Sequence, residues 1–388
     1  MMPEATSYIE ISRSAIANNM AFIRNMIGEQ VQLSLVVKGN AYGHGIETYC
    51  PLAYEAGARH FSTFDAREAW QVQQSLPAGH QAVIMIMGMI EHHDLPWAVE
   101  EGIEFFVFEW GRLEAALAAA KKTGRAAKIH VEVETGMHRT GFEQEELKRV
   151  FRFIKAHAVY LHLRGVCTHL AGAESIANYK RITDQQKRFK KIKAWVESLG
   201  FSPSPAFHMA SSAATIRYPR TRLDMVRVGI MQYGFFPTEE IWVHYLSKQK
   251  SYENPLQRVI SWKSRVMDIK DVKTGEFIGY GNSFFTNKPT RIAIVPVGYG
   301  YGYSRSLSNR GKVLIGQTRL NVVGTVNMNM IAVDVTPLDK VQKGQEVVLI
   351  GKQGTQEITV ASLGDYSRLL NYELLVRLPH SIPRRVVD

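Results

Sequence analysis

The chain has 388 residues, 45% hydrophobic and 21% charged, with a formal net charge of +11. That is long enough for two domains and ordinary for a soluble globular enzyme. No apolar run approaches the roughly 18 residues needed to span a bilayer, which excludes a transmembrane class.

The N-terminal Met1-Met2-Pro3-Glu4-Ala5-Thr6 has neither the basic nor the apolar region of a secretory leader. Cys50 and Cys167 are too few for a disulfide framework, so a reducing cytoplasm is the expected compartment. A short alternating run at 8–11 is a candidate edge strand for a later sheet. From Ser14 to about Gly234, short apolar strands then alternate with longer helical stretches. Strands are predicted at 33–38, 60–64, 83–87, 104–108, 128–134, 164–169, 206–209 and 225–228. Helices are predicted at 66–76, 112–122, 143–157 and 180–199. Eight strands alternating with helices over roughly 220 residues is the arithmetic of a closed (β/α)8 barrel. An open doubly wound sheet is the alternative, but no GxGxxG follows the first strand.

The densest basic run, Lys187-Arg188-Phe189-Lys190-Lys191-Ile192-Lys193, carries its apolar residues at helical spacing. It reads as the solvated face of an amphipathic helix. There is no zinc-finger spacing and no RNA-recognition signature, so neither a metal nor a nucleic-acid partner is expected. After about Lys250 the texture changes to strand-like runs at 259–272, 291–297, 312–315, 320–323, 331–335 and 345–350, separated by Gly, Asn or Pro turns. The expected organisation is a barrel over 12–240, a connector at 241–255, and a mainly β domain over 250–388, with 1–11 a candidate extra strand of the latter.

Barrel enzymes place their chemistry at the C-terminal ends of the strands. Lys38, Arg139, His169, His208 and Arg227 all fall at or just beyond predicted strand ends. Lys38 sits in the string Val36-Val37-Lys38-Gly39-Asn40-Ala41-Tyr42-Gly43-His44-Gly45. Taken alone, it reads first as a surface lysine with a snorkelling stem. The other reading is a desolvated amine able to form a Schiff base with a carbonyl or with pyridoxal phosphate. Ser212, in His208-Met209-Ala210-Ser211-Ser212, offers a hydroxyl at a helix start, suited either to a simple N-cap or to an anion.

The ten-residue string closely resembles the cofactor-lysine signature of the alanine racemases, and further separated motifs extend that resemblance over nearly the whole chain. The resemblance implies that Lys38 holds pyridoxal 5'-phosphate as a Schiff base and that Tyr42 helps secure its phosphate. Ser212, the backbone amides of Gly229 and Ile230, and Tyr372 in Asn371-Tyr372-Glu373 are implied as further phosphate contacts. Val226-Arg227-Val228-Gly229 resembles the motif whose arginine faces the pyridine nitrogen, and His169 matches the histidine that links this arginine to the catalytic tyrosine. A guanidinium does not readily release its proton, so the ring nitrogen would stay largely unprotonated, which suits racemisation over side reactions.

Glu134-Thr135-Gly136-Met137-His138-Arg139 resembles the segment whose arginine lies near the substrate carboxylate. Glu132 stands where many members carry a carbamylated lysine, and its carboxylate would replace that anion. Ile278-Gly279-Tyr280-Gly281 matches the segment of the second catalytic base, so Lys38 would serve one face of the α-carbon and Tyr280 of a second copy the other. A phenol is a weak base, and the network through His169 and Arg227 would have to assist it. Asn327-Met328-Asn329 departs from the usual Cys-Met-Asp but keeps Met328, whose backbone would approach the substrate carboxylate.

The resemblance thus implies a cytoplasmic, homodimeric isomerase with shared active sites that interconverts L- and D-alanine by two-base α-proton transfer. The alternatives are a racemase of other or broader specificity (serine, for example), a decarboxylase of the same architecture, and a non-catalytic carrier of the cofactor. Decarboxylases place an acid where Arg227 stands, and small carriers lack the second domain.

Overall fold

The computed structural model describes residues 4–367 and 371–388, with the side chains of 365–367 excepted. Residues 1–3, on which the leader expectation partly rests, and 368–370 lie outside that description. The chain divides into two units, one of residues 15–38 and 50–257, the other of 1–14, 39–49 and 258–388.

The first unit is a closed parallel barrel. Its strands are β2 (Gln32–Val36), β3 (His60–Thr63), β4 (Val83–Ile86), β5 (Glu104–Val107), β6 (Ala127–Glu132), β7 (Leu161–Cys167), β8 (Ala206–Ala210) and β9 (Met225–Val228), numbered after β1 (Ser7–Ser12) of the second unit. β2 pairs with β9 through Gln32–Met225 to Leu35–Val228, which closes the ring and rules out the open sheet. Short runs of Val, Ile, Phe and Met suit strands buried on both faces. The helices follow local signals. Asp65 caps Ala66–Ser75, its side chain accepting from Glu68 N at 2.8 Å, while Glu68 accepts from Phe64 N, one residue before the cap, at 2.9 Å. Trp110–Thr123 stops at Gly124, whose φ of 69° costs glycine little. In Tyr179–Ser198 the buried face is Ile182, Gln185, Phe189, Ile192 and Val196, and Lys187, Lys190 and Lys191 face solvent.

In this unit the largest departures from the sequence reading are at β7 and at the expected connector. β7 begins at Leu161, three residues before the predicted start, and Arg164 is an extra residue in it. The β6–β7 register runs Ile129–Leu163 and then His130–Gly165. The first half of β7, Leu161–Arg164, alternates buried and exposed residues instead of forming the apolar run on which the reading depended. The expected connector at 241–255 begins instead as a helix, Glu239–Leu246, capped by Thr238.

In the second unit the sheet order is β11-β12-β15-β14-β13-β16-β10-β1-β18. Its strands are β1, β10 (Ile260–Arg265), β11 (Asp268–Val272), β12 (Thr290–Val295), β13 (Lys312–Ile315), β14 (Thr318–Val323), β15 (Ile331–Asp334), β16 (Glu346–Gln353), β17 (Gln356–Ile358) and β18 (Arg384–Val387). The single run expected at 259–272 is two strands. β10 pairs with β1 and β16 and β11 with β12, so the chain changes partners at Val266 and Met267. The 8–11 run is not an edge. β1 lies between β10 and β18. Helices Val360–Ser367 and Asn371–Val376 belong to this unit, where the sequence reading named only strand-like runs.

Candidate active site

Lys38 lies two residues beyond β2. The residue as a whole keeps much of its surface exposed to solvent. Surrounding protein atoms nevertheless strip its amine of water, and with the Arg139 and Arg227 charges they lower its pKa, while Glu68 pulls the other way. A depressed ammonium is an amine more readily deprotonated and nucleophilic.

The next residues form a left-handed turn. Gly39, Asn40, Ala41 and Tyr42 have φ of 63°, 54°, 52° and 51°. Each non-glycine residue there costs on the order of 1–2 kcal/mol, so other contacts must hold the segment. Asn40 Oδ1 accepts from Ile46 N at 2.9 Å, and His44 Nδ1 donates to Ala41 O at 2.9 Å and Tyr42 O at 3.0 Å. Arg384 donates to Gly43 O at 2.8 Å. Tyr42 is buried, and its ring centroid lies 6.0 Å from that of Tyr372. The two tyrosines assigned to phosphate are therefore neighbours in the β-rich unit. The chain passes from β2 through this strained turn, clamped by His44, into helix Ile46–Glu55; the sequence reading gave His44 no role.

At the barrel's strand ends the structure assembles a cationic site. Arg227, near the end of β9, is buried; its Nη1 bonds His208 Nδ1 and its Nη2 donates to Thr168 O at 2.8 Å. The expected link from Arg227 to His169 takes a different form, for His208 is the bonded partner and His169 feels the arginine through its charge. Burial first, then Arg227, Arg139 and Lys38, push the His169 pKa down to about 3, so this imidazole is neutral. His208 lies inside β8 and is fully buried.

Ser211, not Ser212, occupies the capping position of helix Ser212–Arg217, and Ser212 Oγ accepts from Gly229 N at 2.9 Å. That amide, expected to face a ligand, is here engaged by Ser212, whose own O–H is left to donate. Ile230 begins the 3-10 turn Ile230–Tyr233 directly after it.

Glu132, the last residue of β6, accepts from Thr140 Oγ1 at 2.7 Å. Burial raises its pKa, and Thr140, Arg227 and Arg139 oppose that shift. The loop carrying Arg139 is folded around Glu134, whose carboxylate accepts from the amides of Gly136, Met137 and His138.

In the β-rich unit, Tyr280 and Met328 are both exposed. Thr325 Oγ1 donates to Tyr280 O at 3.0 Å, and Asn327 N to Met330 O at 3.1 Å, so the two loops form one end of that unit. Tyr299 N donates to Asn327 O at 3.0 Å and joins them. Exposed Phe277, Phe285 and Met330 surround this end, with the two phenylalanine rings 5.1 Å apart.

Two family models match the chain, the alanine racemase N-terminal domain over residues 11–237 and the alanine racemase C-terminal domain over residues 259–386. The alanine racemase of Leptospira interrogans is 34% identical over 384 residues, covering 99% of this chain and 96% of its own length. That of Methanococcus maripaludis is 33% identical, with 97% of each chain covered. Among solved structures, the alanine racemase of Streptomyces lavendulae superposes with a TM-score of 0.90 at 28% identity over 100% of this chain and 98% of its own. The Bartonella henselae enzyme, solved with covalently bound pyridoxal phosphate, does so with a TM-score of 0.83 at 27% identity, covering 99% and 100%. Both halves match, in order and nearly end to end, and the chain belongs to the alanine racemase family.

Proposed function

We propose that this protein is a pyridoxal-phosphate-dependent alanine racemase, an isomerase that interconverts L- and D-alanine. The observation that carries the reading is the charge pattern at the strand ends. Lys38, Arg139 and Arg227 gather around a neutral His169, and Glu132 is the buried carboxylate among them. Such a site has positive charge in excess. A dianionic phosphate and an amino-acid carboxylate would neutralise it, and a lysine with a lowered pKa is the donor that an aldehyde cofactor requires. The residues present therefore fit pyridoxal phosphate.

Bound there, the cofactor would supply the electron-withdrawing system that acidifies the α-hydrogen of an amino acid. Lys38 Nζ would take or return a proton on one face, helped by its depressed basicity. Tyr280 Oη, from a second copy of the chain, would do so on the other. Ser212, Tyr42, Tyr372 and the amides of Gly229 and Ile230 would hold the phosphate. Arg227 would face the ring nitrogen as a donor that keeps its proton, with His169 beside it as a neutral group. Arg139, steadied by the loop around Glu134, and Met328 would bind the substrate carboxylate. The exposed apolar rim of Phe277, Phe285 and Met330 supports homodimerisation, since an apolar patch of this kind favours a partner over water.

The experiment is incubation of the holoenzyme with L-alanine in deuterated water. Formation of D-alanine with deuterium at the α-carbon is the expected result. Exchange without inversion, or carbon dioxide release, would refute the racemase reading. A panel of other amino acids, serine included, then tests the preference for alanine.

A further inference from the structure

The barrel of this chain has a polar axis that the reaction as described does not use. Below Arg227, His208 Nε2 lies 2.9 Å from His130 Nδ1, and His130 Nε2 lies 2.7 Å from Glu104 Oε2. Glu104 Oε1 accepts from Arg164 Nε at 3.1 Å. Relative exposures are 6% for Arg227, 0% for His208, 1% for His130 and 4% for Glu104, so these bonds are shielded from bulk water. His60 Nε2 also approaches Glu104, at 3.9 Å.

The hydrogen positions follow from the ends inward. A guanidinium only donates, so His208 Nδ1 must accept and His208 carries its proton on Nε2. That proton is donated to His130 Nδ1, and His130 in turn carries its proton on Nε2. A carboxylate only accepts, and Glu104 receives it. Each tautomer is set by its neighbour, and the direction of the whole column is fixed by a cation at one end and an anion at the other.

Two features of the chain make room for the column. A Cβ on Gly165 would lie 2.2 Å from His130 Nδ1, the atom that meets His208. The bulge at Arg164 sets the guanidinium that holds the other oxygen of Glu104.

We propose that Glu104 is a positioning residue for Arg227. Through His130 and His208 it keeps the His208 Nδ1 lone pair aimed at the guanidinium, and so holds that group fixed against the cofactor nitrogen. The inference rests on the assignment of Arg227 to that nitrogen. An amide in place of Glu104 breaks the polarity, because it cannot accept from both Arg164 and His130. With its NH2 toward His130, the column must reverse and present an N–H to Arg227. With its NH2 toward Arg164, the anion that orders the column is lost.

The test uses holoenzyme labelled with nitrogen-15 in its histidine rings, with the two resonances assigned by His130→Gln and His208→Gln. In the wild type both rings should be neutral with the proton on Nε2. In Glu104→Gln the His208 signal should shift toward the Nδ1-protonated form or become a mixture, and kcat should fall roughly ten- to a hundredfold, the loss of one charge-assisted hydrogen bond, with KM changed less than about twofold. A wild-type His130 or His208 protonated on Nδ1 overturns the proposal, and that spectrum decides even if the variant does not fold. A folded variant with unchanged tautomers, or one with altered tautomers and unchanged kcat, overturns it as well. If the wild type does not racemise alanine, the functional reading fails while the ring signals still report on the column.

Discussion

His44 offers a direct test of how the strained turn beside Lys38 is held. Its ring is fully buried, its Nδ1 donates to two carbonyls of the turn, and burial pushes its pKa down to about 3 from an ordinary 6.5. The unfolded chain takes up a proton at this residue as the pH falls below 6.5, and the folded chain does not until about pH 3. The stability due to neutral His44 is therefore complete above pH 6.5 and is lost as the pH falls through that window. Down to about pH 4.5 the unfolded state holds about one proton more than the folded state across about two pH units, so the loss is roughly 2.7 kcal/mol.

His44→Asn separates this titration from the clamp, since the asparagine amide places an N–H close to where Nδ1 stands but does not ionise. Near pH 8 the variant should be less stable by roughly 1–2 kcal/mol, for the buried ring atoms removed. Near pH 4.5 that deficit should vanish or reverse, because the wild type alone carries the titration penalty. Urea unfolding followed by tryptophan fluorescence at both pH values measures the difference. A deficit equal at the two pH values to within about 0.5 kcal/mol would refute the assignment of a neutral, buried His44.

The same turn predicts that Gly43→Ala is destabilising by roughly 2–4 kcal/mol, from a left-handed alanine and forced overpacking. At Gly43 φ is 79° and a Cβ would lie 1.9 Å from Leu375 O, and thermal unfolding checks the effect. Borohydride reduction of the holoenzyme should fix the cofactor on Lys38, and peptide mapping that finds it on another lysine would sink the assignment. Glu132→Gln should raise KM for alanine several-fold by removing the anion beside Arg139, roughly the weight of a weakened charge pair. Wild-type activity should ignore added bicarbonate, whereas Glu132→Lys should respond to it. Bicarbonate dependence of the wild type would show that Glu132 does not replace a carbamate.

Much of the barrel was legible because buried parallel strands are short apolar runs and their helices carry a 3.6-residue stripe. β9 has the predicted bounds, and β3, β4 and β5 each end one residue early. β7 was misplaced because His162 and Arg164 are exposed polar residues in a bulged strand, which looks like loop in a linear reading. The turn after Lys38 was hidden for a different reason. Nothing local favours positive φ at Ala41 or Tyr42; His44 clamps that turn, and Arg384, distant in sequence, bonds the Gly43 carbonyl next to it. The Glu104–His130–His208–Arg227 column was equally hidden, because its members come from four strands and meet only when the barrel closes. One sign was present in the sequence. His208 opens the segment that contains Ser212, and a histidine at a buried strand position needs partners.

The barrel must solve one electrostatic problem at both ends of that column. Arg227 is buried and cannot shed its proton, and an uncompensated buried charge costs several kcal/mol. Glu132 lies in its field on one side. Glu104 answers it on the other, at a distance, through two rings that carry polarity without carrying charge. Burial first, then the hydrogen bond from His130 and the approach of His60, decide the state of Glu104; burial would raise its pKa, and the histidines hold it well below the carboxylate range. The acid therefore stays ionised, the two column histidines stay neutral, and Arg227 keeps its charge. Lys38 has the field of the part-buried Glu68 against it, and Arg139 shares Glu132 with Arg227. Their positive charge is left at the mouth of the barrel, where an anionic cofactor and an anionic substrate would meet it. A site that neutralises its structural arginine internally and leaves its reactive lysine and substrate arginine with a net excess of positive charge is arranged to gain much of its electrostatic stabilisation on binding.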